Sequence, residues 1–125
     1  MTPKILIAVG AVLAGIGVGA GAFGAHGLSD VLSPARLSVY ETAVRYHLIH
    51  ALALVVTGVL ATSVPSVQVA ASGYLFLAGI LLFSGSLYLL VLTDTPWLGA
   101  VTPVGGAAWI AGWAVLAYGA WNGLP

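Results

Sequence analysis

Cysteine is absent from this chain, and charged residues are scarce. Without a thiol, the chain can form no disulfide, no thiolate nucleophile and no thiolate site for zinc or an iron–sulfur cluster. Its three basic and three acidic side chains make up 5% of the 125 residues and leave a formal net charge of zero. Soluble domains carry about a quarter charged residues, so this chain cannot build a polar surface suited to water. The lack of a Lys/Arg cluster also argues against nucleic acid as a partner.

Hydrophobic residues make up 61% of the chain, and its mean hydropathy is +1.12. This composition indicates a single integral membrane domain, residues 1–125, whose first partner is the lipid bilayer. A helix needs about 20 apolar residues to cross the hydrocarbon. Four segments meet that length, at about 5–26, 34–62, 69–92 and 103–121. The fold prediction is therefore all-α: a four-helix transmembrane bundle with short loops.

The second segment is predicted to extend beyond the bilayer. Ser33 followed by Pro34 is typical of an N-cap with proline in the first helical turn. A helix from there to residue 62 is about 43 Å long, against about 30 Å of hydrocarbon. In the first segment, the pairs Gly15/Gly19 and Gly17/Gly21 permit close helix packing. We favour packing within the bundle over a dedicated dimer contact.

Polar residues are concentrated toward one side of the predicted bundle. Four crossings place the 1–2 and 3–4 loops together and both termini on the opposite side. A candidate polar site therefore lies in the leaflet beneath those two loops, where polar groups converge between helices. Its members are His26, Glu41, Arg45, His47, His50, Ser84, Ser86, Tyr88 and Thr102.

Glu41 and Arg45 are four residues apart, so they share a helix face and can form an ion pair. A structural pair is favoured over a proton relay or a substrate contact. His47 and His50 share the opposite face, and with His26 they are the candidate metal ligands, for zinc, copper or an axial bond to haem. The favoured alternative is that each imidazole hydrogen-bonds a neighbouring helix, with no cofactor.

Ser84 and Ser86 are interpreted as hydrogen-bonding groups between helices, ahead of solute coordination. Neither serine lies in a nucleophile elbow or has an assigned base, so hydrolase chemistry has almost no support. We expect the chain not to be an enzyme.

Several motifs occur together in order along the chain: 21–26 GAFGAH, 41–51 ETAVRYHLIHA, 82–88 LFSGSLY and 102–106 TPVGG followed by 111–113 AGW. This sequence resembles the "domain of unknown function 423" family, small bacterial inner-membrane proteins similar to transmembrane protein 256. The resemblance covers nearly the whole chain. It implies four membrane helices with both termini in the cytoplasm, although this chain lacks the basic residues that members carry in the 2–3 loop or C-terminal tail. It implies no activity, substrate, cofactor or catalytic residue.

Three functions remain open on the sequence. The first is a structural or accessory component that packs against a larger membrane complex through glycine-rich helices. The second is a small transporter or channel that works as a homo-oligomer, with polar residues facing the shared interface. The third is metal or haem binding by histidine. The first is favoured because the chain has few intramembrane charges and 17 glycines.

Overall fold

Four long helices account for almost the whole chain, and the computed structural model describes residues 1–125. The four helices are α1 (Pro3–Leu28), α2 (Pro34–Ser63), α3 (Val67–Thr93) and α4 (Pro96–Gly123). Each is long and apolar enough to cross a membrane, and no strand is present. The predicted all-α architecture of four membrane-spanning helices is confirmed.

Side-chain caps start three of the helices. The Ser33 hydroxyl accepts a hydrogen bond from the amide of Arg36, as its position before Pro34 predicts. Thr2 and Ser66 cap α1 and α3 in the same way. Each cap satisfies an amide that has no partner within its helix, and such an unpaired amide is costly near lipid.

Two of the helices contain a wider π turn. Gly24–Leu28 forms the end of α1, and Ile80–Ser84 interrupts α3. In the second, the amide of Gly85 bonds to the carbonyl of Ile80, five residues back. Such turns are rare and are frequently found at functional sites, and the turn in α3 includes Ser84 of the candidate site.

The helices pack in chain order, with α2 and α3 in the centre. Helix α1 packs chiefly on α2, and α4 packs chiefly on α3. Half of the most apolar window of α2 is buried, against 17% for α1 and 22% for α4. The outer helices therefore turn most of their apolar surface toward the surroundings.

Glycines repeat every seven residues along the face of α1 that contacts α2. A β-carbon at Gly10 would lie 2.8 Å from the carbonyl oxygen of Ala51, and one at Gly24 would lie 2.6 Å from the ring of Tyr40. Gly17, midway between them, faces Leu48. A seven-residue period keeps one helix face on its partner, and without side chains at these positions the two backbones approach closely.

The same spacing recurs where α4 contacts α3. Gly105, Gly112 and Gly119 are buried against α3. A β-carbon at Gly105 would collide with the backbone around Phe83, and one at Gly112 would lie 2.9 Å from the ring of Phe76. Both outer helices thus use a glycine heptad to dock on a central helix.

Different groups hold the two ends of the bundle. At one end, Arg36 in α2 forms an ion pair with Asp94 after α3, with Nη2 2.6 Å from Oδ1. At the other end, the N-terminal ammonium of Met1 donates to the hydroxyl of Tyr74, and Gly123 lies against Val64. The 1–2 and 3–4 loops therefore meet at one end, and the termini meet the 2–3 connection at the other.

Candidate functional site

The residues of the candidate polar site divide into a buried and an exposed set. The buried or half-buried members come from three helices and lie in the half of the bundle below the 1–2 and 3–4 loops; they are His47, His50, Ser84, Ser86, Tyr88 and Thr102. His26, Glu41 and Arg45 are exposed. The structure therefore brings six of the nine residues inside and leaves three on the outer surface.

His50 lies at the centre of an aromatic cluster between α2 and α4. Its imidazole stacks on the indole of Trp109, with ring centres 3.8 Å apart and planes 5° apart. The indole nitrogen of Trp113 donates to Nε2 of His50 at 3.1 Å. Nδ1 lies 2.8 Å from the carbonyl of Tyr46 one turn earlier.

These two hydrogen bonds determine the tautomer of His50. A carbonyl only accepts, so Nδ1 carries the proton; an indole N–H only donates, so Nε2 offers its lone pair. The ring is therefore neutral, and both of its nitrogens are used. His50 contributes to the cohesion of α2 and α4 through stacking and hydrogen bonding.

His47 belongs to a second cluster, nearer the loops. Its Nδ1 is hydrogen-bonded to the hydroxyl of Tyr88 at 3.0 Å, and the ring of Tyr88 lies 5.4 Å from that of Tyr40. Tyr40 donates to the carbonyl of Ala20 at 2.7 Å. This cluster connects α1, α2 and α3 through polar contacts. Nε2 of His47 is buried without a hydrogen-bond partner.

The two serines of the candidate site, both in α3, face different helices. Ser84 donates to the carbonyl of Ala43 in α2 at 2.7 Å, and its side chain is fully buried. The hydroxyl of Ser86 is 2.7 Å from that of Thr102 in α4. Both serine hydroxyls thus form hydrogen bonds between helices, as Ser and Thr side chains do in other membrane bundles.

A groove of about 420 Å³ opens sideways beside the aromatic cluster. It lies between α2 and α4, with Phe83 of α3 at its base. Its lining is Tyr46, Ile49, His50, Phe83, Gly106, Trp109, Ile110 and Trp113. The lining is mostly apolar, and the groove opens onto the side of the bundle that faces lipid.

The three histidines do not form a shared ligand set. No group of three His, Asp or Glu side chains in the structure is placed to hold a metal ion. The physical reason lies in the individual rings: His26 is exposed at the end of α1, and both nitrogens of His50 are already bonded. The geometry therefore does not bring His26, His47 and His50 together as one ligand set.

The predicted ion pair between Glu41 and Arg45 is not formed either. The one salt bridge in the structure joins Arg36 to Asp94. Glu41 and Arg45 project from the outer side of α2, where pairing two flexible side chains gains little against its entropy cost. The Arg36 guanidinium is better placed because it also donates to the carbonyl of Leu90 at 3.2 Å.

The sequence interpretation missed Trp109, Trp113 and the Arg36–Asp94 pair. Each depends on residues far apart in the chain, with 63 positions between His50 and Trp113 and 58 between Arg36 and Asp94. A polar residue in an apolar segment requires a partner, and the indole N–H groups of α4 were available donors. The need for such a partner was the only feature of the sequence that pointed to Trp109 and Trp113.

Comparison with known proteins finds relatives whose similarity covers most of the chain. The family model described as "Protein of unknown function (DUF423)" matches residues 20–106. A UPF0382 membrane protein of Staphylococcus epidermidis is 48% identical over 113 residues, which cover 90% of this chain and 92% of the relative. UPF0382 membrane protein YwdK of Bacillus subtilis is 46% identical over 114 residues, covering 90% and 93%. No solved structure matches.

Proposed function

This chain belongs to the DUF423 family of membrane proteins, and from that premise we propose that it is a non-catalytic accessory component that packs against other membrane proteins. The observation that carries the proposal is that most buried polar side chains are hydrogen-bonded within the bundle, and only Nε2 of His47 and the hydroxyl of Thr57 lack a partner. A transporter needs polar groups that are free to meet a solute. In this bundle the polar groups instead hold neighbouring helices together.

Three hydrogen bonds show how neighbouring helices are joined inside the bundle. Tyr40 of α2 donates to a carbonyl of α1, Ser84 of α3 donates to a carbonyl of α2, and Trp109 of α4 donates to the carbonyl of Phe76 in α3 at 3.1 Å. Each of the three contacts between neighbouring helices thus has its own polar bond. A solute path between neighbouring helices of one chain would have to break one of them.

The outer side of α1 supplies a surface for a partner helix. A β-carbon at Gly15 or Gly19 would meet nothing within 4 Å, and Val12 and Ile16 beside them are more than half exposed. Glycines four residues apart let another helix approach closely and gain van der Waals contact, which drives association in lipid. The partner chemistry is accordingly a transmembrane helix with small residues on its contact face.

Native mass spectrometry of the protein, gently solubilised from its own membrane, tests this role. We expect a heteromeric assembly that Gly15→Leu dissociates, because the new side chain fills the space the partner helix needs. Val104→Leu is the control, since it adds a methylene at an exposed position on α4, away from this surface.

Other outcomes of the same measurement would replace the proposal. A metal-free homodimer would favour transport and direct flux assays to Glu41 and His50 variants. A mass increment from metal or haem, lost in His47→Ala, would favour ligand binding. A bare monomer in every preparation would refute the accessory role.

We also propose a location in the bacterial inner membrane with both termini in the cytoplasm. Support for the membrane location comes from the relatives named as membrane proteins in Bacillus and Staphylococcus. Support for the orientation comes from the family resemblance alone, because Lys4 lies at the end that carries the termini while Arg36 and Arg45 lie toward the other end. Alkaline phosphatase fused to the C-terminus should stay inactive, while a fusion in the 1–2 loop should be active. The reverse pattern would invert the topology.

A further inference from the structure

On the lipid-facing side of α2, above the lateral groove, lie two side chains of opposite charge, Glu41 and Arg45. Neither side chain forms a salt bridge within the bundle. We propose that this surface binds one zwitterionic aminophospholipid. Its phosphate binds Arg45, its ammonium binds Glu41, and an acyl chain lies in the groove lined by Ile49, Ile110 and Trp113. The site is distinct from the outer face of α1.

The first step concerns charge. Glu41 and Arg45 are exposed on the same side of α2, yet they do not pair with each other or with another side chain. Their α-carbons are separated by about 6 Å along the helix axis. An uncompensated cation and anion at this spacing match a headgroup that contains one charge of each sign, since each would gain a charge-assisted hydrogen bond.

The second step concerns depth. If α2 reaches the far interface at Ser63, the near edge of about 30 Å of hydrocarbon falls some 20 residues earlier, around residue 43. Glu41 then lies just outside that edge, and Arg45 lies just inside it, where a long side chain extends back to the headgroups. The same count along α4 from Gly123 sets the edge near residue 103.

The third step concerns the groove. Ile49 lines it and lies one helical turn below Arg45, on the same side of α2. On α4, Gly106 and Ile110 line the facing wall at matching depth. The groove therefore begins directly below the two charges, at the level of the upper acyl chain, and its apolar walls suit a hydrocarbon chain.

The arrangement selects among lipids. Phosphatidylglycerol offers an anion to Arg45 but has no cation for Glu41, whose carboxylate repels it. Phosphatidylcholine has a cation, but its quaternary ammonium has no N–H to donate. Phosphatidylethanolamine satisfies both side chains, and we expect the wild-type protein to bind it about tenfold more tightly than the other two, as one charge-assisted hydrogen bond allows.

Native mass spectrometry of the purified, delipidated protein, titrated separately with dioleoyl phosphatidylethanolamine, phosphatidylglycerol and phosphatidylcholine, tests the charges. Arg45→Gln should weaken phosphatidylethanolamine binding about tenfold, and Glu41→Gln should abolish the preference for it over phosphatidylglycerol. Lys4→Gln also removes one positive charge, at the opposite end of the bundle, and should bind lipid like wild type. Equal binding of all three lipids, or wild-type selectivity in both site variants, would overturn the proposal.

A second pair of variants tests the groove. A β-carbon at Gly106 would meet only the ring of Phe83, at 3.7 Å, which is ordinary contact. Because Gly106 lines the groove, Gly106→Ile should occupy part of it and weaken lipid binding. Gly15→Ile places the same side chain outside the groove and should leave lipid binding unchanged. The reverse pattern, or a copurifying peptide that competes with lipid for the groove, would refute the site. Loss of assembly in Gly15→Ile concerns only the accessory role, so the two proposals fail separately.

Discussion

Replacing Gly10 with alanine should test the close approach of α1 and α2. The added β-carbon would lie 2.8 Å from the carbonyl oxygen of Ala51 and 2.9 Å from the amide nitrogen of Val55. Both are backbone atoms of α2, so no side-chain rotation relieves the overlap. Since ordinary contact begins at 3.4 Å, α1 must move away by about 0.6 Å, which loosens the packing on both sides of the substitution.

The expected cost follows from two opposing effects. Overpacking a tight contact costs about 1–3 kcal/mol, while alanine gains up to about 1 kcal/mol in helix propensity over glycine. With the full propensity gain, the net destabilisation of Gly10→Ala is therefore about 0–2 kcal/mol. Gly15→Ala is the matched control, because its β-carbon would meet nothing within 4 Å. It receives the propensity gain alone and should be unchanged or slightly more stable.

Reversible unfolding in mixed micelles of dodecyl maltoside and increasing dodecyl sulfate measures this difference. Circular dichroism and tryptophan fluorescence should follow the same transition if unfolding is two-state. The two variants should differ by about 2 kcal/mol in the free energy of unfolding, from the terms above. Equal stabilities would refute the argument that the glycine heptad sets the helix separation.

Three further predictions use the same assay. His50→Phe keeps a ring that can stack on Trp109 but leaves the Trp113 indole N–H without its acceptor, so it should cost about 1–3 kcal/mol; a neutral result would show that stacking alone matters. Ser84→Ala removes its bond to Ala43 and should cost about 0.6 kcal/mol, the average for such bonds in membranes, and a cost above about 2 kcal/mol would contradict this assignment. A double-mutant cycle of Arg36→Gln and Asp94→Asn should give a coupling of about 0.2–1 kcal/mol that decreases with salt; a salt-independent coupling would indicate a buried pair.

The helices themselves could be predicted because length and hydropathy suffice to identify a membrane crossing. The start of α2 was equally accessible, since Ser33 and Pro34 form a local cap. The helix partners of individual glycines were less accessible. Gly15, Gly17, Gly19 and Gly21 look equivalent in the sequence, yet Gly17 and Gly21 face α2 while Gly15 and Gly19 face outward. The rotation of a uniformly apolar helix depends on its neighbours, and its sequence carries little amphipathic pattern.

The site was predictable only in part, for a similar reason. The concentration of polar residues below two loops follows from counting crossings, and six of those residues do lie inside the bundle. Their partners could not be deduced. Glu41 and Arg45 satisfied a local spacing rule, but the ion pair formed instead by Arg36 is between residues 58 positions apart. Only packing of α3 beside α2 brings those two side chains together.

The two glycine heptads also have a consequence for biogenesis. Each outer helix docks on its immediate neighbour in the chain, so α1 with α2 and α3 with α4 form two hairpins whose contacts are local in sequence. Local contacts form quickly because little chain must be ordered to close them. Each hairpin can therefore assemble as soon as its second helix enters the lipid, and the three-residue connection between Ser63 and Val67 then brings the finished halves together.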